Sequence, residues 1–312
     1  MWSRATETPL RFDRSSMSST SPANLLDPPE MTLLEKMRLA PRRTFSGRVR
    51  GERLSRQKGL SVEFADYRDY SDGDDLRHLD WAILARLDRP TIRTYQDEDD
   101  LAVYVALDAS LSMDFGDPTK FSHATRLASA FAYLGLVGQD AVYPVTLGHP
   151  AGRKQPLRGR GSYRRVADWL ASIRPDGQQG LAASLLRFAA SNSSRPGMFV
   201  CLTDGLDPDI PNALRAVEAR GHELVIVQIL SEIEIDPDLE GDLRLLDADT
   251  GAIVEVTAHA QTLREYQQNL TAHCKLVEET TVRAGGRYLY CVVGQPLSEF
   301  ITHDLAHAGL VH

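Results

Sequence analysis

The sequence predicts an α/β protein: a doubly wound, mostly parallel sheet with a β-hairpin insertion and an N-terminal segment packed on it. Three observations carry that prediction. Five short runs, LAVYVAL (101–107), AVYPVTL (141–147), MFVCLT (198–203), ELVIVQIL (223–230) and RYLYCVV (287–293), are β-branched and apolar enough for strands buried on both faces. Amphipathic stretches separate most of them, which implies right-handed helical crossovers between parallel strands. One segment breaks the alternation: in DLRLLDADTGAIVEVT (242–257) two β-rich runs flank Asp249-Thr250-Gly251, and that reads as a hairpin.

In chain order, residues 1–30 are rich in Ser, Thr and Pro and carry little periodic hydrophobicity, so they are expected to form a disordered tail. Met17 within it is a second candidate start. Residues 31–97 form a segment of different character. From Glu35 to Lys58 it is basic, but no aromatic residues interleave as stacking platforms, so a solvated helix and loop is expected rather than a nucleic-acid arm. From Ser61 to Asp100 it is dense in Asp and carries Tyr67, Tyr70, Trp81 and Tyr95, too charged for a core and too aromatic for a linker. Residues 98–312 hold the sheet. Phe121, Ala124, Leu127, Ala128, Phe131 and Leu134 recur at helical spacing, and further helices fit 162–173, 181–190, 211–220 and 259–284.

Composition narrows the class. The 312 residues are 42% hydrophobic and 25% charged, with a formal net charge of −8 that disfavours a chain-wide nucleic-acid surface. No run approaches the roughly 18 apolar residues of a membrane helix and no signal-peptide pattern opens the chain, so a cytoplasmic protein is the default. Cys201, Cys274 and Cys291 show no CxxC spacing and are expected as core residues rather than a disulfide or zinc framework.

In an open α/β sheet, ligands bind beyond the carboxyl ends of the strands. The first strand runs into Asp108-Ala109-Ser110-Leu111-Ser112, whose alternate residues offer one carboxylate and two hydroxyls to a common point. Hard oxygen donors of that kind suit Mg²⁺ or Mn²⁺. The third strand ends in Thr203-Asp204-Gly205, which brings Asp204 as a second carboxylate. The competing reading is that these Ser and Asp residues only cap the following helix. As an enzyme, the chain would be a Mg²⁺-dependent phosphotransferase or hydrolase using Asp108. Ser110, however, stands where that chemistry wants a second acid, and no GxSxG, P-loop or GxGxxG turn is present.

These residues resemble the metal-ion-dependent adhesion site of von Willebrand factor A domains: DxSxS, a separate Thr, and a later Asp in a DG pair. The resemblance implies a Rossmann-type sheet and a cation at Asp108, Ser110, Ser112 and Asp204. At the place of the Thr the chain reads Gly177-Gln178-Gln179-Gly180-Leu181, with Gln179 where the hydroxyl would be, so any Mg²⁺ or Mn²⁺ is expected to bind weakly.

Upstream, GLSVEFADYRDYSDGDDLRHLDW (59–81) followed by Ala85-Arg86-Leu87 resembles the hallmark of the domain-of-unknown-function 58 family. Lys120-Phe121, LRGRG (157–161), TDGLDP (203–208), RGHEL (220–224) and GGRYL (285–289) continue it. Within the hallmark, Arg68, Tyr70, Gly73, Asp74, Arg77, Asp80, Trp81 and Arg86 are candidate signature or docking residues. One reading is a folding clamp of Asp–Arg pairs with buried aromatic anchors, Trp81 among them; the other is a partner-docking surface. An EF-hand does not fit, because Tyr70 and Arg68 would fall on two ligand positions. The resemblance implies a non-enzymatic interaction module, an adaptor for a MoxR-type AAA+ ATPase in complex assembly or maturation.

Overall fold

The computed structural model describes residues 2–4, 25–43, 45, 64–69, 81–87, 89–95, 101–149, 155–177, 179–191 and 195–312, and these divide into two compact units. The larger comprises Met1–Arg42 and Leu101–His312, the smaller Arg43–Asp100. In the larger unit, β4 (Ala102–Asp108), β5 (Ala141–Leu147), β6 (Met198–Thr203), β7 (Glu223–Leu230) and β10 (Arg287–Val292) form a five-stranded sheet in the order β10-β7-β6-β4-β5, every pair parallel. The five runs expected as strands are these five. Pro144 sits in β5, an edge strand, where its missing N–H breaks no central ladder.

Helices flank the sheet. On one face Ala102, Tyr104, Ala106, Phe199, Cys201 and Ile226 share a core with residues of α5 (Leu181–Ala190), α6 (Ile210–Ala219) and α8 (Ala260–Arg283). On the other lies α3 (Lys120–Val137), with Gly135 against Val103 and Val142, and α4 (Tyr163–Ser172) packs beside it. Both β4 and β6 are buried along their whole length, which is why their sequences read as unbroken apolar runs. Cys201 and Cys291 are buried, as expected of small core residues. Among the described residues no helix is long and apolar enough to cross a membrane.

The hairpin is present as β8 (Gly241–Asp247) and β9 (Ile253–Ala258), antiparallel and in register from Gly241↔Ala258 to Leu246↔Ile253. The expected tail is corrected at both ends. β1 (Trp2–Arg4) pairs antiparallel with β8, and α1 (Pro28–Glu35) opens on a capping box from Asp27 to Glu30, with Leu25 and Leu26 buried just before it. Residues 5–24 lie outside the described residues. α1 belongs to the sheet unit: Arg126 pairs with Glu30 at 2.8 Å, and the Tyr133 hydroxyl donates to Glu35 at 2.8 Å. The boundary of the signature segment therefore falls at Arg43 rather than residue 31.

The smaller unit contains β2 (Phe64–Asp69) paired antiparallel with β3 (Thr91–Tyr95), and α2 (Trp81–Leu87) between them in sequence. Arg68 lies within β2; Tyr70, Gly73, Asp74, Arg77 and Asp80 fall outside the described residues. Trp81 does not meet the expectation of a buried anchor: it is 65% exposed on a seven-residue helix, and Arg86 is exposed on the same helix.

One buried ion pair ties the amino-terminal strap to the sheet. Arg287 at the start of β10 donates to Glu223 at the start of β7 at 2.6 Å and to the Ala40 carbonyl at 2.6 Å. Removing one partner of a buried ion pair is costly, so Arg287→Met is expected to cost about 3 to 5 kcal/mol. In thermal unfolding that appears as a midpoint lowered by about 6 °C or more; an unchanged midpoint would show that the pair contributes nothing.

Candidate functional site: a carboxylate cluster built around a buried lysine

Beyond the carboxyl end of β4, the chain folds back on its own carboxylate. Ser110 N–H donates to Asp108 Oδ1 at 3.0 Å, and a single 3₁₀ turn follows at Leu111–Met113. β6 is the neighbour of β4, so Thr203 comes alongside Asp108, and its hydroxyl donates to Asp108 Oδ2 at 2.6 Å. Thr203 Oγ1 in turn accepts the Gly205 N–H at 2.9 Å. Gly205 has φ +64°, a left-handed conformation that favours glycine and accounts for the DG pair.

The Ser110 and Ser112 hydroxyls lie 3.0 Å apart, and Ser112 is close enough to Asp204 to help hold its carboxyl below the usual range. Asp108, Ser110, Ser112 and Asp204 are all buried at these neighbouring strand ends, with Asp204 near enough to act on Asp108 through its charge. Gln179 comes to the same strand ends through the backbone. Gly177 N–H donates to the Ala109 carbonyl at 2.8 Å, and Gln179 N–H donates to the Gly148 carbonyl at 3.2 Å. A Cβ on Gly177 would stand 2.7 Å from both the Ala109 and Gly148 carbonyl oxygens, so only glycine permits this approach. The Gln179 side chain makes no hydrogen bond to the other four residues, and its buried Oε1 has no partner among the described residues.

Three contributors went unread in the sequence. Lys120, the first residue of α3, is fully buried, and its ammonium donates to Asp204 Oδ2 and to Glu234 Oε1, each at 2.7 Å. Glu234 lies in α7 (Glu232–Ile235), just beyond β7, where its Oε2 also accepts from the Ser231 N–H and hydroxyl, each at 2.9 Å. The third is Asp249, at the turn of the β8–β9 hairpin, whose Oδ1 accepts the Ser112 N–H at 2.9 Å. The available signal for Lys120 was its position: a cation in the first turn of a helix opposes the macrodipole and calls for an anionic partner.

A further layer fixes the Asp204 loop. Gln228 Nε2 donates to the Asp204 carbonyl at 2.7 Å and receives the Tyr288 hydroxyl on its Oε1 at 2.7 Å. His273 Nε2 donates to the Gly205 carbonyl at 2.7 Å, and the Tyr266 hydroxyl to the Glu234 carbonyl at 2.8 Å. The segments after β6 and after β7 are therefore pinned from behind by α8, β7 and β10.

Charge sets the properties of the cluster. Burial alone would lower Lys120, but Asp204 and Glu234 outweigh it and its pKa is raised. Burial alone would raise Asp204, yet the Lys120 ammonium holds it below the usual carboxylate range. Asp108 has no such partner: burial, and then the charge of Asp204, push it up to about 6 against the hydrogen bonds from Thr203 and Ser110. Three carboxyl groups here face one ammonium. Among the described residues, no three His, Cys, Asp or Glu side chains are grouped to hold a metal ion. The oxygen donors gathered at Asp108 are instead two carboxylates and the hydroxyls of Ser110 and Thr203.

Comparison with known proteins follows this geometry. The family model described as "Protein of unknown function DUF58" matches residues 66–276. An uncharacterized protein of Mycobacterium tuberculosis (strain ATCC 25618 / H37Rv) is 28% identical over 270 residues, 84% of each chain, and an uncharacterized protein of Mycobacterium bovis gives the same figures. Among solved structures, the conserved hypothetical protein BatB from Bacteroides thetaiotaomicron is similar over 67% of this chain and 98% of that one, with a TM-score of 0.43 and 17% identity. An aerotolerance-related membrane protein from Bacteroides fragilis, carrying multiple mutations to serines, covers the same shares with a TM-score of 0.41 and 16% identity.

The raised pKa of Asp108 has a definite sign in stability. Because its folded value (about 6) exceeds the unfolded one, its contribution is fully present below about pH 4 and is lost as pH rises through about 6. His123 and His222, both lowered by burial to about 4, act oppositely, losing stability as pH falls below about 6.5. The difference between wild type and Asp108→Asn cancels the histidines. Urea unfolding is expected to show that difference moving in favour of the variant by about 3 kcal/mol between pH 4 and pH 7.5; a difference independent of pH would contradict the account of Asp108.

Proposed function

The chain belongs to the DUF58 family, and from that premise we propose that it is a non-enzymatic protein-interaction module with a von Willebrand factor A-like sheet, an adaptor acting with a MoxR-type AAA+ ATPase in complex assembly or maturation. The observation that carries this reading is the charge imbalance at the strand ends: the one ammonium, Lys120, pairs with Asp204 and Glu234 and leaves Asp108 with neutral donors only, and the buried Gln179 Oε1 has no partner among the described residues. The donors fit a hard, hydrated cation, Mg²⁺ or Mn²⁺, held by Asp108, Ser110, Ser112, Asp204 and Gln179. Lys120 already engages one oxygen of Asp204, and Gln179 replaces a hydroxyl, so the affinity is weak. When bound, the cation supplies a coordination position for an acidic side chain of the partner.

The chain's own residues do the positioning. Thr203 and the Ser110 amide orient Asp108, Lys120 fixes Asp204, and the Gly177 crossing sets the distance between the Gln179 loop and β4. The alternative, a Mg²⁺-dependent phosphotransferase with Asp108 as nucleophile, has less behind it. Both Asp108 oxygens accept hydrogen bonds, and Ser110 stands where a second acid is needed. The same reading puts the protein in the cytoplasm.

Two measurements test the proposal. With the protein as bait in native extract containing Mg²⁺, an AAA+ ATPase of MoxR type should be recovered, and chelator or Asp108→Asn should release it. Recovery unchanged by chelator would overturn the cation dependence, and failure to recover the ATPase would overturn the partner class. Separately, Gln179→Thr should tighten Mn²⁺ binding in calorimetry by about tenfold; an unchanged or weaker affinity would overturn the role given to Gln179.

A further inference from the structure

The β8–β9 hairpin reaches the cluster through one side chain. Its base is anchored, with Leu243 and Ala258 buried, while Leu246, Ile253 and Val254 toward the tip are exposed. The turn is ordered from within. Asp247 Oδ1 accepts the N–H groups of Asp249 and Thr250 at 2.9 and 3.2 Å, Asp247 N–H donates to the Ala252 carbonyl at 2.8 Å, and Thr250 Oγ1 accepts the Ala252 N–H at 3.2 Å. Both side-chain bonds of Asp247 leave Asp249 uncommitted within the turn.

Asp249 places Oδ1 on the Ser112 amide at 2.9 Å, across 137 residues of sequence, and its Oδ2 makes no hydrogen bond to the described residues. The turn needs no such contact, since Asp247 already satisfies it. Nor does the DxSxS loop need a carboxylate there, because water serves an amide at the edge of a site equally well. What the contact achieves is to hold one further carboxylate, with a free oxygen, beside a cluster that already has an excess of negative charge. Such placement is repulsive unless a positive charge joins the cluster.

We propose that the hairpin supplies in cis the acidic group that completes this site: Asp249 occupies, at Ser112, the place that an acidic side chain of a partner would take. The inference rests on the cation-dependent reading above. The tip is then a displaceable stand-in. A partner presenting an aspartate or glutamate gains the site by lifting the turn, which among the described residues is hydrogen-bonded to the loop by Asp249 on Ser112.

Mn²⁺ alone is the probe. Its binding to full-length protein is followed by the loss of free Mn²⁺ signal in electron paramagnetic resonance, for wild type, Asp249→Asn, Asp249→Ala and Asp108→Asn. Asn at 249 retains an oxygen for the Ser112 amide but not the charge, so Asp249→Asn and Asp249→Ala should both weaken Mn²⁺ binding about tenfold. Asp249 is exposed, and thermal midpoints confirm that its variants fold. If wild type binds, Asp108→Asn abolishes binding and Asp249→Asn binds as wild type does, the hairpin plays no part and only this inference falls. If wild type binds no Mn²⁺ up to millimolar concentration, the cation reading falls and takes the inference with it.

Discussion

The Lys120 ammonium, wholly buried between Asp204 and Glu234, is the constraint on which the strand-end geometry depends. Removing three charged groups from water costs several kcal/mol per ion, and only short, direct contacts in a low-dielectric interior offset it. Both contacts are 2.7 Å. They join the first residue of the helix after β4, the loop after β6 and the short helix after β7, so three crossovers that could drift independently are held to one point. Because a lone buried charge of either sign is costly, the three groups are interdependent: shifting any one strands the others.

That constraint explains why Asp204 and Asp108 differ although each follows a buried parallel strand. Asp204 has the ammonium on Oδ2 and stays ionised; Asp108 has hydroxyl and amide donors only, and is pushed up to about 6. Neutral donors orient a carboxylate without cancelling its charge. The cluster is organised by a permanent cation on one side and left short of positive charge on the other.

The sheet was legible because its strands are buried on both faces, a burial that forces apolar β-branched runs and leaves strand order as the missing information. The order β10-β7-β6-β4-β5 then puts Pro144 on an edge strand, where a proline is tolerated. The DxSxS and TDG residues were legible because their chemistry is local to two motifs. Lys120 was visible as part of Lys120-Phe121, but its partners lie 84 and 114 residues away, and no period or spacing in the chain encodes such a pairing. β1 and α1 were missed for a different reason. Trp2–Arg4 is too short to show alternation, and α1 begins on Pro28-Pro29, which reads as a turn until Asp27 and Glu30 are seen to form a capping box around it. Trp81 shows the converse: an aromatic residue in a charged segment can anchor a core or face a partner, and the 65% exposure of Trp81 does not fit the anchor.

On the proposed reading, the order of events at the site follows from its charge. An acidic partner approaching three carboxyl groups and one ammonium meets net repulsion, as does the charge of the Asp249 tip, and a divalent cation relieves both. A proton on Asp108 relieves the same imbalance and so competes with the cation for the same carboxylate. Cation, proton, hairpin and partner are thus linked through one residue. On that reading Asp108 is the residue through which they communicate, because Asp204 is already engaged by Lys120.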